Sequence, residues 1–475
     1  MVLMGAALLL ACARAPLPPP APPVTGERPR ELWVDGSASP GGDGTVERPF
    51  KTMPALDQGA HLHLRSGLYA GPFRFPQGTV VTGHGVAVLF VEGRGAVVSH
   101  AGGALRLERV LLQGGSVGLE TTEGAVWLDE VKFSGHGSTF VDGANTSLVG
   151  TRLELTSNIP GTTGFRVREG RLQLRDARLT GPMRHGVKAT GAALAFDQVQ
   201  FEGPANGVLL QGGSLEGAGL RFAGGQGVAL HVLDAGVTLS NVDVTGHEYA
   251  VLGAGTVAFD GLTIKGPQQS GVSLVGGTST LKHVRVERAG GLGGLQLLGG
   301  RHVLEDIEVK NSNAWGVLVR RAEAAIGLLR VSGLRGEAAP GGRILGDGLM
   351  VRDGRAGVDT LIAEDLEGSA LFVANAGAVV ARSLEARRCA GGAVFIERQS
   401  EATIEQLVSR GSAGPSVTAL DEARLRVRDF SATGGDVSVW ADCAEGVRVD
   451  IARAAADTTI PALRCLFVPP VYERQ

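Results

Sequence analysis

Several residue types are scarce in this chain of 475 residues, and each scarcity excludes a class of protein. Aromatic residues make up only 5%, and the formal net charge is −3 with no dominant basic stripe. Nucleic acid is therefore not an expected partner. Hydrophobic residues, at 43%, are too many for a disordered chain. The 73 glycines have no three-residue period, which excludes collagen.

Cysteine is also scarce. The four cysteines, Cys12, Cys389, Cys443 and Cys465, are too few for a disulfide framework, and no Cys-x-x-Cys pair suggests zinc. The sequence predicts no metal site and no cofactor. Cys443 and Cys465 are 22 residues apart, one turn of the repeat described below. Both a disulfide, formed in an oxidising compartment, and two separately buried thiols fit this spacing. Cys389 is expected in the core.

The N-terminal region contains no hydrophobic run long enough to span a bilayer. The apolar run over residues 2–11 has the length of a signal-peptide h-region. Residues 9–12 (LLAC) resemble the lipobox of bacterial lipoproteins, which implies a signal peptide over 1–12, a lipid on Cys12 and an outer-membrane lipoprotein of the bacterial cell envelope. No Lys or Arg precedes the run, and residues 13–15 (ARA) also fit an ordinary cleavage site, so a secreted or periplasmic protein is the alternative. The Pro-rich residues 13–31 predict an extended tether.

The abundant feature is a repeat. A phrase of the form Gly-Val-x-Leu returns about every 22 residues, and units of this size stack into a solenoid. The phrase begins at Gly164, Gly186, Gly207, Gly227, Gly271, Gly294, Gly316 and Gly348. Within residues 186–207, three short segments alternate apolar and polar residues and are joined by turns, which predicts three strands per coil.

Two polar residues recur at one corner of the repeat. Examples are the corners at residues 129–130, 240–241 and 260–261. Asp, Asn and Gly tolerate the left-handed backbone that a tight corner needs. We therefore interpret the recurring acids as structural and not as a metal-binding column.

Three strands per coil, a two-residue corner and a coil of about 22 residues together resemble the right-handed parallel β-helix of the pectin-lyase-like superfamily. The resemblance implies an all-β, single-stranded right-handed parallel β-helix over residues 32–449, with about 17 coils in a rod of ~80 Å. Residues 450–475 are then the C-terminal cap or tail. Residues 32–56 and 62–69 resemble the DUF1565-like opening segment of many such proteins, which implies a short N-terminal capping helix. The insertion over residues 333–346 is expected to project as a loop.

In that superfamily, active sites generally lie outside the strand that carries the Gly-Val phrase. Strand alternation predicts two outward-facing columns on it. The first column is Arg166, Lys188, Leu209, Ala229, Ser273, Gln296, Leu318, Met350, Phe372 and Phe395. The second is Arg168, Thr190, Gln211, His231, Val275, Leu298, Arg320, Arg352, Ala374 and Glu397. Lyases and glycoside hydrolases of this fold need several carboxylates, and these columns hold one, Glu397.

One cluster in these columns is a candidate site. Its residues are Trp315, Arg320, Arg321, Asp347, Arg352 and Asp353, with Asn313 just upstream. Two arginines on adjacent coils could clamp a carboxylated sugar, and Trp315 could stack on its ring. A solvated ladder of charged side chains fits the same pattern. Beside the cluster, an apolar strip is expected on the outside, covered by the inserted loop or by a partner protein. The strip is Leu298, Leu318, Met350, Phe372 and Phe395.

The sequence thus predicts a non-catalytic β-helix, anchored to the membrane through an N-terminal lipid, that binds a cell-surface polysaccharide or an envelope protein. The alternative is a polysaccharide lyase or glycoside hydrolase that acts on an acidic polysaccharide around Arg320, Asp347, Arg352 and Asp353.

Overall fold

The computed structural model describes residues 30–338, 344–434, 437–443, 446–456 and 465–467. Over these residues the chain winds into a parallel β-solenoid of about 17 turns, spaced by about 22 residues. Each turn pairs in parallel with the turn before and the turn after it, as in the pairing of Val167 with Ala189 and of Leu274 with Leu297. The predicted all-β parallel β-helix is confirmed. The signal peptide, Cys12 and tether residues 13–29 lie outside the described residues. Residues 30–31, which the sequence assigned to the tether, belong to the strand Arg30–Val34.

The strands form three parallel sheets, one for each side of a coil. Strands of the first sheet alone are Phe73–Arg74, Ala96–Ala101, Val117–Thr122, His185–Thr190, Asn206–Gln211, Ser270–Val275, Gly293–Leu298, Trp315–Arg320, Asp347–Arg352, Leu371–Ala374, Val394–Ile396, Val417–Ala419 and Val439–Ala441. Strands of the second sheet alone are Arg30–Val34, Ala125–Asp129, Ala193–Asp197 and Leu466–Phe467. Strands of the third sheet alone are Lys132–Ser134, Glu154–Thr156, Arg178–Thr180 and Gln200–Glu202.

Other strands continue around a corner from one sheet into the next. Those shared by the second and third sheets are Ala60–Ala70, Thr79–Val91, Ala104–Gly114, Ser214–Ala223, Thr278–Glu287, Arg301–Lys310, Glu323–Ser332, Arg355–Glu364, Ala378–Arg387, Glu401–Arg410, Arg424–Thr433 and Arg448–Ala456. Those shared by the first and second sheets are Thr139–Thr151 and Thr163–Arg175. Val228–Thr245 and Tyr249–Lys265 run through all three sheets. A separate antiparallel hairpin is formed by Glu337–Ala338 and Ile344–Leu345.

The core fills the inside of the coils. Alternate residues of each strand point inward, and the largest of them, such as Phe133, Phe165, Phe201 and Phe222, are fully buried. Phe201 and Phe222 are on adjacent coils, and their rings stack with centroids 4.7 Å apart. Because equivalent side chains lie one above another, the core continues along the rod instead of closing into a globule.

The corners have the predicted backbone. Glu130, Gln198, Asn241 and Gly261 all have φ between 52° and 81°, in the left-handed region. Asn and Gly adopt this conformation at little cost, and a polar side chain can point into solvent from it. The structural interpretation of the corner residues is therefore supported at these four positions.

The predicted capping helix is wrong. Residues 51–59 contain no helix, and among the described residues there is no helix that could cross a membrane. Pro54 and Gly59 leave only four residues between them, too few to repay the cost of helix nucleation. The strand Arg30–Val34 instead pairs with the first coil, while Phe50 and Leu56 pack against the core.

One coil is displaced from its predicted register. Val208 pairs with Leu230 and Leu209 with His231, a step of 22 residues. The phrase at Gly227 had placed Ala229 outward, but this residue is fully buried. The apolar pair Val228 and Leu230 offers two alignments that differ by two residues, and alternation alone does not distinguish them because its period is also two.

Cys443 and Cys465 form a disulfide, with Cα atoms 5.3 Å apart. Their spacing equals one turn, so stacking brings them together near the C-terminal end of the described rod. Cys389 is a buried free thiol in the core, and burial raises its pKa to about 12.

Candidate functional site

The outer face of the first sheet presents one continuous line of side chains, which we call the outer column. Each residue in it is the register partner of the next, so successive residues are about 4.8 Å apart. The column runs through Arg74, Ser99, Glu120, Asp142, Arg166, Lys188, Leu209, His231, Leu252, Ser273, Gln296, Leu318, Met350, Phe372, Phe395, Thr418 and Trp440.

Two carboxylates in this column were missed from the sequence. Glu120 and Asp142 lie in coils before Gly164, where the repeated phrase is weak. The carboxylate of Asp142 pairs with the guanidinium groups of Arg166 at 3.2 Å and Arg168 at 3.0 Å. The expectation that the face is poor in acids is therefore wrong for its N-terminal part. The charge of Asp142 is nevertheless compensated by these two arginines, so this carboxylate has a structural role in the rod.

A cleft opens beside the start of the outer column. It has a volume of about 540 Å³, and its lining includes Arg74, Glu92, Arg94 and Glu120. Two acids and two bases make its charge close to balanced. The cleft therefore has no strong preference for an anion or a cation.

The predicted arginines lie together in the C-terminal half of the rod. Arg320 and Arg352 are register partners at the ends of consecutive first-sheet strands, and Arg321 follows in the left-handed region with a φ of 51°. We call these three residues the arginine corner. None of them forms an ion pair with a residue that the structure describes. In contrast, Arg388 elsewhere on the rod contacts two carboxylates, each at 2.6 Å.

The structure does not bring Trp315 and Asp347 together with these arginines. Trp315 and Asp347 begin the strands that Arg320 and Arg352 end, and five residues of extended strand span roughly 16 Å. Asp347 is completely buried, and its Oδ1 accepts a hydrogen bond of 2.9 Å from the backbone N–H of Ser369.

The two remaining residues of the predicted cluster also have backbone roles. Asp353 is exposed in a left-handed turn with a φ of 52°. Asn313 is half-buried and forms an isolated parallel bridge with Arg335. Of the predicted cluster, the structure therefore brings together only the three arginines and the exposed Asp353 that follows Arg352.

The middle of the apolar strip is covered, whereas Leu298 and Phe395 at its two ends are half-buried. Leu318, Met350 and Phe372 are at most 6% exposed although they point away from the main core. Leu345, in the hairpin of the inserted segment, packs against them. Of the two expected covers, the structure favours the inserted segment, whose residues 339–343 lie outside the described part. This second apolar cluster ties the insertion to the outside of the rod.

This chain resembles known proteins only weakly. The sequence matches no protein-family profile and no curated protein. Among solved structures, a tailspike protein of bacteriophage CBA120 is 11% identical with a TM-score of 0.29 over 83% of this chain. A pectate lyase is 12% identical with a TM-score of 0.16 over 89% of this chain. A lacto-N-biosidase from Eubacterium ramulus is 10% identical with a TM-score of 0.19 over 90% of this chain. The matches span 56%, 80% and 68% of those three proteins, respectively. The chain is thus similar to these proteins only distantly, and its fold is established by its own strand pairing.

Proposed function

We propose that this chain is a non-catalytic binding rod whose arginine corner binds an acidic polysaccharide. The observation that carries the proposal is the group of three arginines, Arg320, Arg321 and Arg352, on two consecutive coils without a carboxylate partner in the described structure. A guanidinium group presents a planar fork of donors that matches a carboxylate or sulfate. Repeated acidic groups of a polymer would engage several such forks at once.

The surroundings of the corner favour a polysaccharide over a protein partner. Arg320 and Arg321 are exposed, whereas the neighbouring apolar side chains Leu318 and Met350 are buried beneath the inserted segment. Protein interfaces usually have a buried apolar centre, and here the chain covers that surface itself. A polar, charged rim remains, which suits a hydrated acidic polymer.

The lyase or hydrolase alternative is weaker at this place. General acid–base catalysis needs a carboxyl group or a base that reaches the substrate. Asp347 is buried and accepts a backbone hydrogen bond, so it does not face a bound sugar. Asp353 remains as an exposed acid on the corner. One exposed carboxylate beside three arginines is an arrangement for binding rather than for bond cleavage.

Replacing Arg320 and Arg352 together by alanine should abolish most of the binding. A charge-assisted hydrogen bond contributes about 1.5–3 kcal/mol, which corresponds to a ~10–100-fold change in Kd for each arginine. Binding of uronate-rich, sulfated and neutral polysaccharides would be measured by calorimetry at two salt concentrations. We expect binding of the acidic polymers only, and weaker binding at higher salt because the contact is electrostatic.

The matched control is Arg424→Ala, which removes an arginine of similar character that is 65% exposed and near Glu401. It should leave the affinity unchanged. An unchanged affinity in the Arg320→Ala/Arg352→Ala variant would contradict the proposed site. New reducing ends or unsaturated uronate absorbance, lost in Arg352→Ala, would favour the lyase or hydrolase instead.

The proposed location is the bacterial outer membrane, reached through a lipid on Cys12. The support is the sequence of residues 9–12 and the Pro-rich tether after it. Mass spectrometry of the mature N-terminus tests this location. An unmodified peptide that starts after Ala15 would indicate the secreted or periplasmic alternative.

A further inference from the structure

Two histidines and a glutamate converge on the outside of the second sheet, at the N-terminal end of the rod. His61 and His63 alternate along their strand with Leu62 and Leu64, which are fully buried. Both imidazole rings therefore point outward on the same face. Glu31 on the preceding strand is the register partner of His61. Topology thus joins residues that are 30 positions apart in sequence.

The three side chains are spaced like metal ligands. One ligand atom from each lies within 4.8 Å of the other two. The Nε2 atom of His63 is 3.0 Å from one carboxylate oxygen of Glu31, and the Nδ1 atom of His61 is 3.9 Å from the other. Ligand atoms of a tetrahedral zinc ion, with bonds of 2.0–2.1 Å, are about 3.3 Å apart. Small side-chain movements suffice to reach that geometry.

The other nitrogen of each ring has a partner that orients it. The Nε2 atom of His61 lies 3.0 Å from the hydroxyl of Thr82, which donates to the carboxylate of Glu108 at 3.0 Å. The Nδ1 atom of His63 lies 3.0 Å from Nε2 of His84. When each ring donates through these nitrogens, the lone pairs of the opposite nitrogens point toward the carboxylate described above. Metal-binding histidines usually have such outer partners.

Aromatic packing holds one ring further. Trp33 stacks on His63 with ring centroids 4.6 Å apart. The ring centroid of His61 lies 4.0 Å from that of His63. The carboxylate of Glu31 is 64% exposed, whereas the two rings are mostly buried. An ion could therefore enter from solvent on the side of the carboxylate and keep water as its remaining ligand.

We propose that Glu31, His61 and His63 bind a divalent transition-metal ion, with zinc as the best match. Two imidazole nitrogens and a carboxylate oxygen are the donor set that zinc, and also nickel or copper, accepts. The ion would join the first strand, Arg30–Val34, to the first complete coil. It would therefore act as a clamp on the end of the rod, where a strand edge has no further neighbour to pair with in the described structure. The sequence had predicted no metal site.

The test is zinc titration of the full chain after treatment with a chelator. We expect one ion per chain, and a melting temperature that rises with zinc because the ion binds the folded state. His63→Ala and Glu31→Gln should each weaken binding at least ~10-fold, since loss of even an outer partner has that effect. Amide hydrogen exchange of residues 30–34 should slow when zinc is added.

His283→Ala provides the control, because it removes an exposed imidazole that lies 2.8 Å from Asp260 far from the cluster. It should bind zinc like the unaltered chain. Circular dichroism would check folding, and Glu31→Gln, at an exposed position, keeps the test valid if a histidine variant unfolds. No zinc binding at micromolar concentration, or full retention of the ion in Glu31→Gln and in His63→Ala, would overturn the proposal. Neither result depends on polysaccharide binding.

Discussion

Acidification from pH 6.5 to pH 4.5 should remove a large part of the folding stability of this protein. His136, His185 and His247 are buried, and burial is the main reason that the pKa of each is lowered to about 4. The unfolded chain binds a proton on each ring near pH 6.5, well before the folded chain does. Stability is therefore complete above pH 6.5 and falls as the pH decreases toward 4. At 1.36 kcal/mol per pKa unit, the loss approaches roughly 3 kcal/mol per histidine.

The surroundings of His136 and His247 do not stabilise a protonated imidazole ring. His136 packs against Phe133 and Phe140, with ring centroids 6.0 Å and 5.1 Å away, and its Nδ1 atom is hydrogen-bonded to the carbonyl of Gly114. The rings of His247 and Phe222 pack edge to face, with centroids 6.4 Å apart. A protonated imidazole at these places is desolvated without a compensating anion.

Denaturant titrations at pH 7.5, 6.5, 5.5 and 4.5 measure this effect. The free energy of unfolding should fall only slightly between pH 7.5 and pH 6.5 and steeply from pH 6.5 to pH 4.5. His136→Gln and His247→Gln, made separately, should each reduce the slope by about one proton. A free energy that falls only below pH 4.5 would instead indicate carboxylate protonation and contradict the assignment to histidine.

The repeat made the coils predictable because every coil solves the same packing problem. Inward positions such as Val187 and Leu194 must be apolar, since they stack on equivalent residues of the next coil. The sequence of each coil therefore indicates the same three-strand fold independently. The failures arose where the repeat is imperfect. At Gly227 a shift of two residues preserves the alternation, and only pairing with the neighbouring coil selects the alignment.

The candidate site was less predictable, because it depends on distances that local patterns do not contain. Arg320 and Arg352 were correctly placed side by side, as register follows from the repeat. Trp315 is near Arg320 in sequence but lies at the opposite end of an extended strand. The burial of Met350 depends on an insertion that folds back over it. Glu31 approaches His61 only because the first strand pairs with the first coil.

Truncation of one core ring, Phe201→Ala, should destabilise the rod by about 3–5 kcal/mol. Phe201 is 1% exposed and stacks face to face on Phe222 in the next coil, with an interplanar angle of 4°. A Cβ atom on Gly186 would lie only 2.5 Å from the Phe201 ring, so the backbone is closely packed around it. The cavity left by alanine could not close without moving a coil that is paired on both sides.

The control is Phe467→Ala, the same chemical change at a ring that is 52% exposed. The Cζ atom of Arg448 lies 4.9 Å from the centroid of this ring. That change should cost less than about 1 kcal/mol. A double-mutant cycle of Phe201→Ala and Phe222→Ala, followed by denaturant unfolding, then measures the stacking itself, expected at about 0.5–1.5 kcal/mol beyond burial. Because each coil contacts only its neighbours, this coupling measures the side-chain contribution of one ring pair to the contact between two adjacent coils, apart from their backbone hydrogen bonds. Strictly additive losses would show that the stacking of the two rings adds nothing beyond their burial.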